Sequence, residues 1–371
     1  MAVLNEEQTM LRDMARNWAQ KESPVSAFRK VRNAREAAGF DRAAYKEIAD
    51  MGWTGIIIPE AYGGSGLGYL SAGLVIEELG KTLTASPLAA SNFAAASALV
   101  LAGSDAQKEA WLPKLASGEA IATLAIDEGP RHDPAKIEAR AEKSGAGWSL
   151  SGVKAFVHEA DSADLFIVAA QTEKGVALFL VPADAKGVER SARRLTDSRS
   201  HAEVAFVNVA LAADALLGSE DGAQLLDQVL ERARAATCAE LLGLAEQAFQ
   251  TTLDYLKTRV QFNQQLSTFQ ALQHRMANLF TQIELARSAV EGAFEALDAG
   301  RDDAARIVSA AKVAANDAAH TMSREMIQLH GGIGMTDEHD AGFYLKRARV
   351  LENAWGNSSF HRERFARLSG Y

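Results

Sequence analysis

The groups best suited to binding chemistry lie in one stretch, YLKTRVQFNQQLSTFQALQHRMAN, from Tyr255 to Asn278. An alanine-rich helical run ends there in Arg259-Val260-Gln261-Phe262. Ser267-x-x-Gln270 then offers a capping box, in which a hydroxyl and an amide satisfy backbone donors at a new helix start. Phe262, Leu266, Phe269, Leu272, Met276, Leu279 and Ile283 recur at steps of three and four, the spacing of one buried helical face. The pattern predicts an antiparallel helical hairpin whose turn carries a guanidinium, a phenyl ring and several amides, which are hydrogen-bonding and stacking groups. Spacing alone assigns them no ligand. Arg259 reads equally as a helix C-terminal cation favoured by the dipole, and Phe262 as the first core residue of its stripe.

Other chemistries fall away on spacing. His320, His330, His339 and His361 form no pair at metal-ligand spacing, and H-E-x-x-H is absent. No G-x-S-x-G elbow marks a serine nucleophile. Tyr62-Gly63-Gly64-Ser65-Gly66-Leu67-Gly68 does not keep the G-x-G-x-x-G spacing, and Pro59-Glu60 interrupts the strand-to-helix turn that motif needs. Cys238 is the only cysteine, so there is no internal disulfide framework, and a buried, inert thiol is expected. Asp337-Glu338-His339-Asp340 reads as an exposed loop. A net charge of −9, with no basic run interleaved with aromatics, argues against a nucleic-acid partner.

The elements that must position these residues fall into three stretches. At 371 residues, 48% hydrophobic and 23% charged, the chain has the length and composition for two or three globular domains. Asn5 with Gln8 makes a capping box for a first helix ending near Pro24; Asp41 caps another through Met51, closed by Gly52. A helix over roughly Leu70–Lys81 and a buried small-residue helix from Leu88 to Gly103 follow, the latter too short and too polar to span a membrane. Ser104-x-x-Gln107 caps a further helix carrying Trp111, Leu112 and Leu115. After Gly118 the texture turns to short β-type runs at Ile121–Ile126, Trp148–Leu150, Leu165–Ala170, Val176–Val181 and Glu203–Val209, separated by turn residues. From Gly218 long periodic segments are helical again. The expected domains are 1–118 helical, 119–217 β and 218–371 a helical bundle. The N-terminus has acidic residues where a signal peptide needs a basic region, so a soluble, cytoplasmic chain is expected.

Several segments together resemble the acyl-CoA dehydrogenase family of flavoproteins. They are Pro59-Glu60-x-x-Gly63-Gly64, Gln107-Lys108-x-x-Trp111-Leu112-Pro113-x-Leu115-Ala116-x-Gly118-Glu119, Arg259-x-Gln261-Phe262 with Gln270, and Gln328-Leu329-His330-Gly331-Gly332-Ile333-Gly334. No single one is specific; their ordered combination over nearly the whole chain is. The resemblance implies an α+β fold: an N-terminal helical domain, a central β domain and a C-terminal four-helix bundle. It implies FAD as cofactor, acyl-CoA as substrate, an electron-transferring flavoprotein as acceptor, and a homo- or hetero-tetramer with a related subunit. Carried over residue by residue, Arg259 reaches the diphosphate and Phe262 the adenine of FAD held mainly by a neighbouring subunit, with Gln270 an amide nearby. Gln328, Gly331 and Gly332 approach the same dinucleotide, and Phe156 stacks near the isoalloxazine.

The chain departs from the family where its chemistry is done. Removing the α-proton of a thioester requires a carboxylate base. Many members carry a glutamate in Tyr-Glu-Gly-Thr; aligned on Ala348-Arg349 and Gly356, Trp355 stands in that slot. A smaller group carries the base ten residues before a glycine on the first bundle helix; counting back from Gly243 gives Ala233. Glu352, one helical turn before Trp355, and Glu231, on the opposite side of its helix from Ala233, are the nearest acids, and both read as solvated surface charges. The flavin-facing hydroxyls of Tyr-x-x-Thr-Glu-Pro-x-x-Gly-Ser have no clear equivalents in Leu124–Asp133, and His158 replaces the threonine of Trp-Ile-Thr. Three readings follow from these departures. One is a subunit that completes a partner's site in a heteromeric acyl-CoA dehydrogenase acting on fatty or steroid-derived acyl groups. The others are a self-sufficient dehydrogenase with a displaced base, and a flavin monooxygenase or oxidase on the same fold.

Overall fold

The chain's computed structural model describes residues 4–35 and 37–371. Helices α1 (Glu6–Lys21), α2 (Val25–Ala34), α3 (Arg42–Asp50), α4 (Gly68–Lys81), α5 (Ala96–Ala102) and α6 (Asp105–Ala116) come first. The capping boxes at Asn5/Gln8 and Ser104/Gln107 form as the sequence predicts, and Asp41 caps α3. Helix α2 was not anticipated. The stretch read as one small-residue helix opens with wide π-type turns at Ala89–Ala95 before continuing as α5.

Eight strands follow: β1 (Ala122–Ala125), β2 (Arg140–Ser144), β3 (Gly147–His158), β4 (Leu165–Gln171), β5 (Val176–Pro182), β6 (Val188–Arg194), β7 (Ser200–Leu211) and β8 (Leu216–Leu217). They form one sheet in the order β6-β7-β3-β2-β4-β5-β8, with β1 parallel to β4. Two register shifts break the β3–β7 pairing. The second, between Lys154 and Val157, places an extra residue in β3, and such a bulge re-aims side chains locally. Lys154 is fully buried there and donates to Glu128 Oε1 at 2.6 Å and to the Ile126 carbonyl at 3.1 Å. Burial lowers its pKa, and the Glu128 carboxylate opposes that shift. Glu128 also accepts from the backbone N–H groups of Glu138 and Ala139, so one ion pair ties the β1–β2 connection to β3.

Helices α7 (Ala223–Thr258), α8 (Gln270–Asp298), α9 (Ala304–His330), α10 (Ala341–Asn353) and α11 (Ser358–Leu368) complete the chain, with a two-stranded hairpin, β9 (Val260–Gln261) and β10 (Gln264–Gln265), between α7 and α8. Two compact units result. One comprises Met1–Arg29, Gly73–Thr84 and Arg234–Tyr371; the other comprises Lys30–Ala72 and Ala85–Ala233. In the first, α4 and α7 approach so closely that a Cβ on Gly243 would stand 1.9 Å from the Glu77 carbonyl oxygen, and one on Gly80 2.7 Å from that of Glu240. Only glycine allows that backbone contact. Among the described residues no helix is long and apolar enough to cross a membrane.

Candidate functional site

The stretch read as one continuous helical stripe is broken at its start. Helix α7 ends at Thr258, and Val260 and Gln261 pair with Gln265 and Gln264 across a two-residue loop. A loop of that length favours positive φ at both central positions. They are Phe262 (φ 51°) and Asn263 (φ 63°). Asparagine suits this region; a bulky ring is an outlier there. Phe262 is therefore not the first core residue of the stripe: it is 84% exposed, its ring set T-shaped to Phe269 with centroids 6.1 Å apart. The buried face begins at Met276. The expected Ser267–Gln270 capping box is absent as well. Helix α8 starts at Gln270 with Phe269 as its N-cap and no side-chain cap, because Leu266–Thr268 forms a 3-10 turn first. Strain at the hairpin tip gives a test. Phe262→Gly should stabilise the isolated chain by about 1 kcal/mol, read as a raised urea midpoint; an unchanged or lowered midpoint would show that the tip is not strained.

Arg259 is exposed and its guanidinium makes no hydrogen bond or ion pair among the described residues, while its carbonyl accepts from Leu266 N–H at 2.9 Å. Gln270 is exposed at the start of α8. At the far end of α9, Gly331 adopts φ 65° and ψ −139°, a conformation left to glycine. Gly331, Gly332 and Gln328 are exposed, and no atom lies within 4 Å of a Cβ built on either glycine. The elbow and this glycine turn belong to the same end of the first unit. Tyr255, one turn before Arg259, stacks on His330 with ring centroids 4.3 Å apart and donates to the His330 carbonyl at 3.3 Å.

The slot aligned with the family glutamate is structurally well held. Trp355 is buried and left-handed (φ 57°), and its carbonyl accepts from Arg234 Nε at 3.2 Å and His361 Nε2 at 3.0 Å. Just before it, α10 ends against a fully buried lysine. Lys312 Nζ donates to the Leu351 carbonyl at 3.0 Å and to Asn316 Oδ1 at 2.7 Å, and Asn316 Nδ2 reaches the Glu352 carbonyl at 3.2 Å. A cation and an amide thus satisfy carbonyls that the last helical turn leaves open. Burial pushes the Lys312 pKa down to about 8. Burial, with Arg234 and Lys312 nearby, pushes His361 down to about 2, so the imidazole that donates to Trp355 is neutral.

The acids closest in sequence to Ala233 and Trp355 are not surface charges. Glu231 is 4% exposed and Glu352 9% exposed. Glu352 Oε2 lies 3.0 Å from His320 Nδ1 and 2.9 Å from Arg349 Nη1; the arginine is a same-face i,i+3 neighbour, but His320 lies 32 residues away, beyond the reach of a helix-face argument. One carboxylate oxygen is thus committed to a guanidinium and an imidazole, and the other, Oε1, is buried with no hydrogen-bond partner among the described residues. Ala233 is buried and offers no acid or base.

In the second unit the segments around Asp127 and His158 carry polar side-chain pairs. His132 Nδ1 lies 2.8 Å from Asp127 Oδ1, and His158 Nδ1 lies 2.9 Å from His201 Nε2 across the β3–β7 pair. Phe156, at the bulge, is 39% exposed. The backbone around it is anchored by Ala155 N–H to the Asp127 carbonyl at 2.7 Å. Sequence reasoning missed both pairs: His158 and His201 lie on different strands, and Asp127 and His132, five residues apart, meet only through the fold of their loop. Among the described residues no group of three or more His, Cys, Asp or Glu side chains could hold a metal ion.

Residues 5–119, 123–209 and 220–369 match, in turn, the acyl-CoA dehydrogenase N-terminal, middle and C-terminal domains. The chain belongs to the acyl-CoA dehydrogenase family of oxidoreductases, whose members bind FAD. It is 30% identical to a protein of Bacillus subtilis named as a probable acyl-CoA dehydrogenase, over 98% of each chain. It is 31% identical to the mitochondrial isovaleryl-CoA dehydrogenase of Pongo abelii, over 97% of this chain and 88% of that one. A chain in the crystal structure of the ChsE4-ChsE5 complex from Mycobacterium tuberculosis superimposes with a TM-score of 0.92 at 28% identity, over 100% of both. The α+β class, with N-terminal helices, a middle β domain and C-terminal helices, holds as the sequence predicts.

Proposed function

We propose that this chain is the base-lacking subunit of a heteromeric, FAD-dependent acyl-CoA dehydrogenase, completing a site whose carboxylate comes from a related partner. The observation that carries the reading is Trp355 in the glutamate slot. Arg234, His361, Lys312 and Asn316 hold the loop around it, yet no acid stands there. Glu352, one turn before the slot, has one carboxylate oxygen tied to His320 and Arg349, and we read it as an anchor of α10 and not as the base. The relative in the ChsE4-ChsE5 complex, where two differently named chains assemble, supports the same arrangement.

The donor set supports one half of an FAD site and not the other. Arg259 offers a planar guanidinium with no hydrogen bond or ion pair among the described residues, suited to a diphosphate. Gly331 and Gly332 leave their backbone open to a close approach, Gln328 and Gln270 supply exposed amides, and Phe262 offers a largely exposed ring to a purine. In the second unit only Phe156 remains suited to a flavin ring, because Asp127 pairs with His132 and His158 with His201. When bound, FAD supplies the acceptor for the hydride removed from the β-carbon of a CoA thioester. This chain's residues bind and orient the dinucleotide; the α-proton passes to a base on the partner. An electron-transferring flavoprotein is the proposed acceptor and a tetramer of paired unlike subunits the proposed assembly.

Purification decides between this reading and a self-sufficient enzyme. Expressed alone, the chain should emerge without FAD; co-expressed with a related chain that has the glutamate, the complex should be yellow. A chain that is yellow on its own and bleached by acyl-CoA would overturn the proposal.

A further inference from the structure

We propose that the Tyr255–His330–His339 ring stack is a positioning device that locks the Arg259 elbow to the Gly331–Gly332 turn, and that protonation of His330 releases it. The inference rests on the reading of those two segments as dinucleotide-facing.

The stack joins three segments of the first unit. From α7, the Tyr255 ring lies 4.3 Å from His330, and its hydroxyl donates to the His330 carbonyl, the last one before Gly331. The Tyr255 carbonyl in turn accepts from Arg259 N–H at 2.8 Å. From the loop after the glycines, the His339 ring lies 4.3 Å from the other imidazole. Displacing His330 therefore disturbs the start of the glycine turn and the end of α7 together. The loop carrying His339 is anchored separately. Arg29 donates to the Asp337 carbonyl at 2.6 Å and to Asp340 Oδ1 at 2.6 Å, and its guanidinium lies over Phe343.

Both imidazoles are placed as neutral rings. His330 is 3% exposed; its Nδ1 lies 2.7 Å from the Met326 carbonyl, which can only accept, so the proton is on Nδ1. Its Nε2 is buried with no hydrogen-bond partner among the described residues, so a second proton there would create an unsatisfied buried charge. His339 Nδ1 accepts from Ala341 N–H at 3.1 Å, at the first residue of α10, so its proton sits on Nε2. A proton on Nδ1 would set two N–H groups face to face at a helix N-terminus, where positive charge is disfavoured. The titratable groups in ring contact with His330 are Tyr255 and His339. The nearby loop charges are Asp337 and Asp340, both paired with Arg29, and Glu338. Burial, opposed by the Met326 hydrogen bond and reinforced by His339, holds the pKa of His330 below the ordinary imidazole value. The sign follows: the folded state takes up this proton only at lower pH than the unfolded chain, so the lock is intact at neutral pH and fails as pH falls below about 6.5.

The test uses the co-purified complex, with FAD affinity read by flavin fluorescence between pH 7.5 and 5. His330→Ala should weaken FAD at pH 7.5 by about tenfold. His330→Phe, which keeps a ring in the stack but cannot be protonated, should recover most of that loss and flatten the pH dependence. An unchanged His330→Ala complex, or a folded His330→Phe complex as weak as His330→Ala, would overturn the positioning role. The stack is also read without the cofactor, by imidazole nitrogen NMR of the full chain. His330 should show the Nδ1–H tautomer and titrate below the ordinary imidazole value; an Nε2–H tautomer or ordinary titration near 6.5 would overturn the lock. If Arg259→Ala leaves FAD affinity unchanged, the dinucleotide reading fails while the NMR outcome still decides the stack.

Discussion

Replacing Arg259 by alanine should lower the FAD affinity of the heteromeric complex by roughly a hundredfold, or about 3 kcal/mol, the loss expected when charge-assisted hydrogen bonds to a phosphate are removed. The size follows from what the guanidinium lacks. It makes no ion pair or hydrogen bond among the described residues, so its removal leaves no protein group unsatisfied and should cost the chain little stability. A structural arginine would behave the other way, losing stability and leaving flavin affinity alone. Arg259→Lys separates charge from geometry. It retains the charge but not the planar fork, and should recover only part of the affinity. Equilibrium titration of the apo-complex with FAD, beside urea unfolding of the chain, distinguishes these outcomes.

The second large effect is acid instability centred on the Trp355 loop. His361 is fully buried and its pKa is pushed down to about 2, against about 6.5 in an unfolded chain. Because the folded-state value is depressed, the unfolded chain binds the proton first. Stability is complete above pH 6.5 and is lost as pH falls from there towards 2. At pH 4.5 the loss from this one residue should be about 3 kcal/mol relative to pH 7. His361→Gln keeps an N–H able to reach the Trp355 carbonyl and does not titrate. Its stability should therefore fall less between pH 7 and pH 4.5, by about that amount. The other histidines are common to both proteins, so they cancel in the difference. Parallel pH slopes for wild type and variant would show that His361 is not the buried neutral group described.

What could be read from the sequence was local or was carried by ordered motifs. The Asn5/Gln8 and Ser104/Gln107 boxes close within one helical turn, so their residues announce them. Strands β4 and β5 are nearly fully buried runs of apolar residues and were legible for that reason. Strands β2 and β6, Arg-Ala-Glu-Lys-Ser and Val-Glu-Arg-Ser-Ala-Arg-Arg, are largely exposed and polar; pairing with β3 and β7 makes them strands, and no local propensity does. Phe262 was misplaced because helical period extends smoothly through it. The two-residue hairpin that turns it outward is a backbone event that period cannot register. The burial of Glu352 depends on His320, 32 residues away, and the C-terminal cap of α10 on Lys312, 39 residues from Leu351. Pairings at such separations leave no trace in spacing. The proposed site rests on motif and alignment alone: Arg259, Gln328 and the glycines through their ordered segments, and the missing base through alignment on Gly356. The clamp that holds Trp355, made of Arg234 and His361, was legible in neither.

Those residues frame one claim, that this chain serves a neighbour's flavin and has no base of its own. The most direct measurement is an anaerobic acyl-CoA titration followed by flavin absorbance. It should be run on the chain reconstituted with excess FAD and on the co-purified complex with a glutamate-bearing relative. The account predicts bleaching in the complex, its loss when the partner's glutamate is replaced by glutamine, and no bleaching of the chain alone. Bleaching of the reconstituted chain without any partner would contradict it.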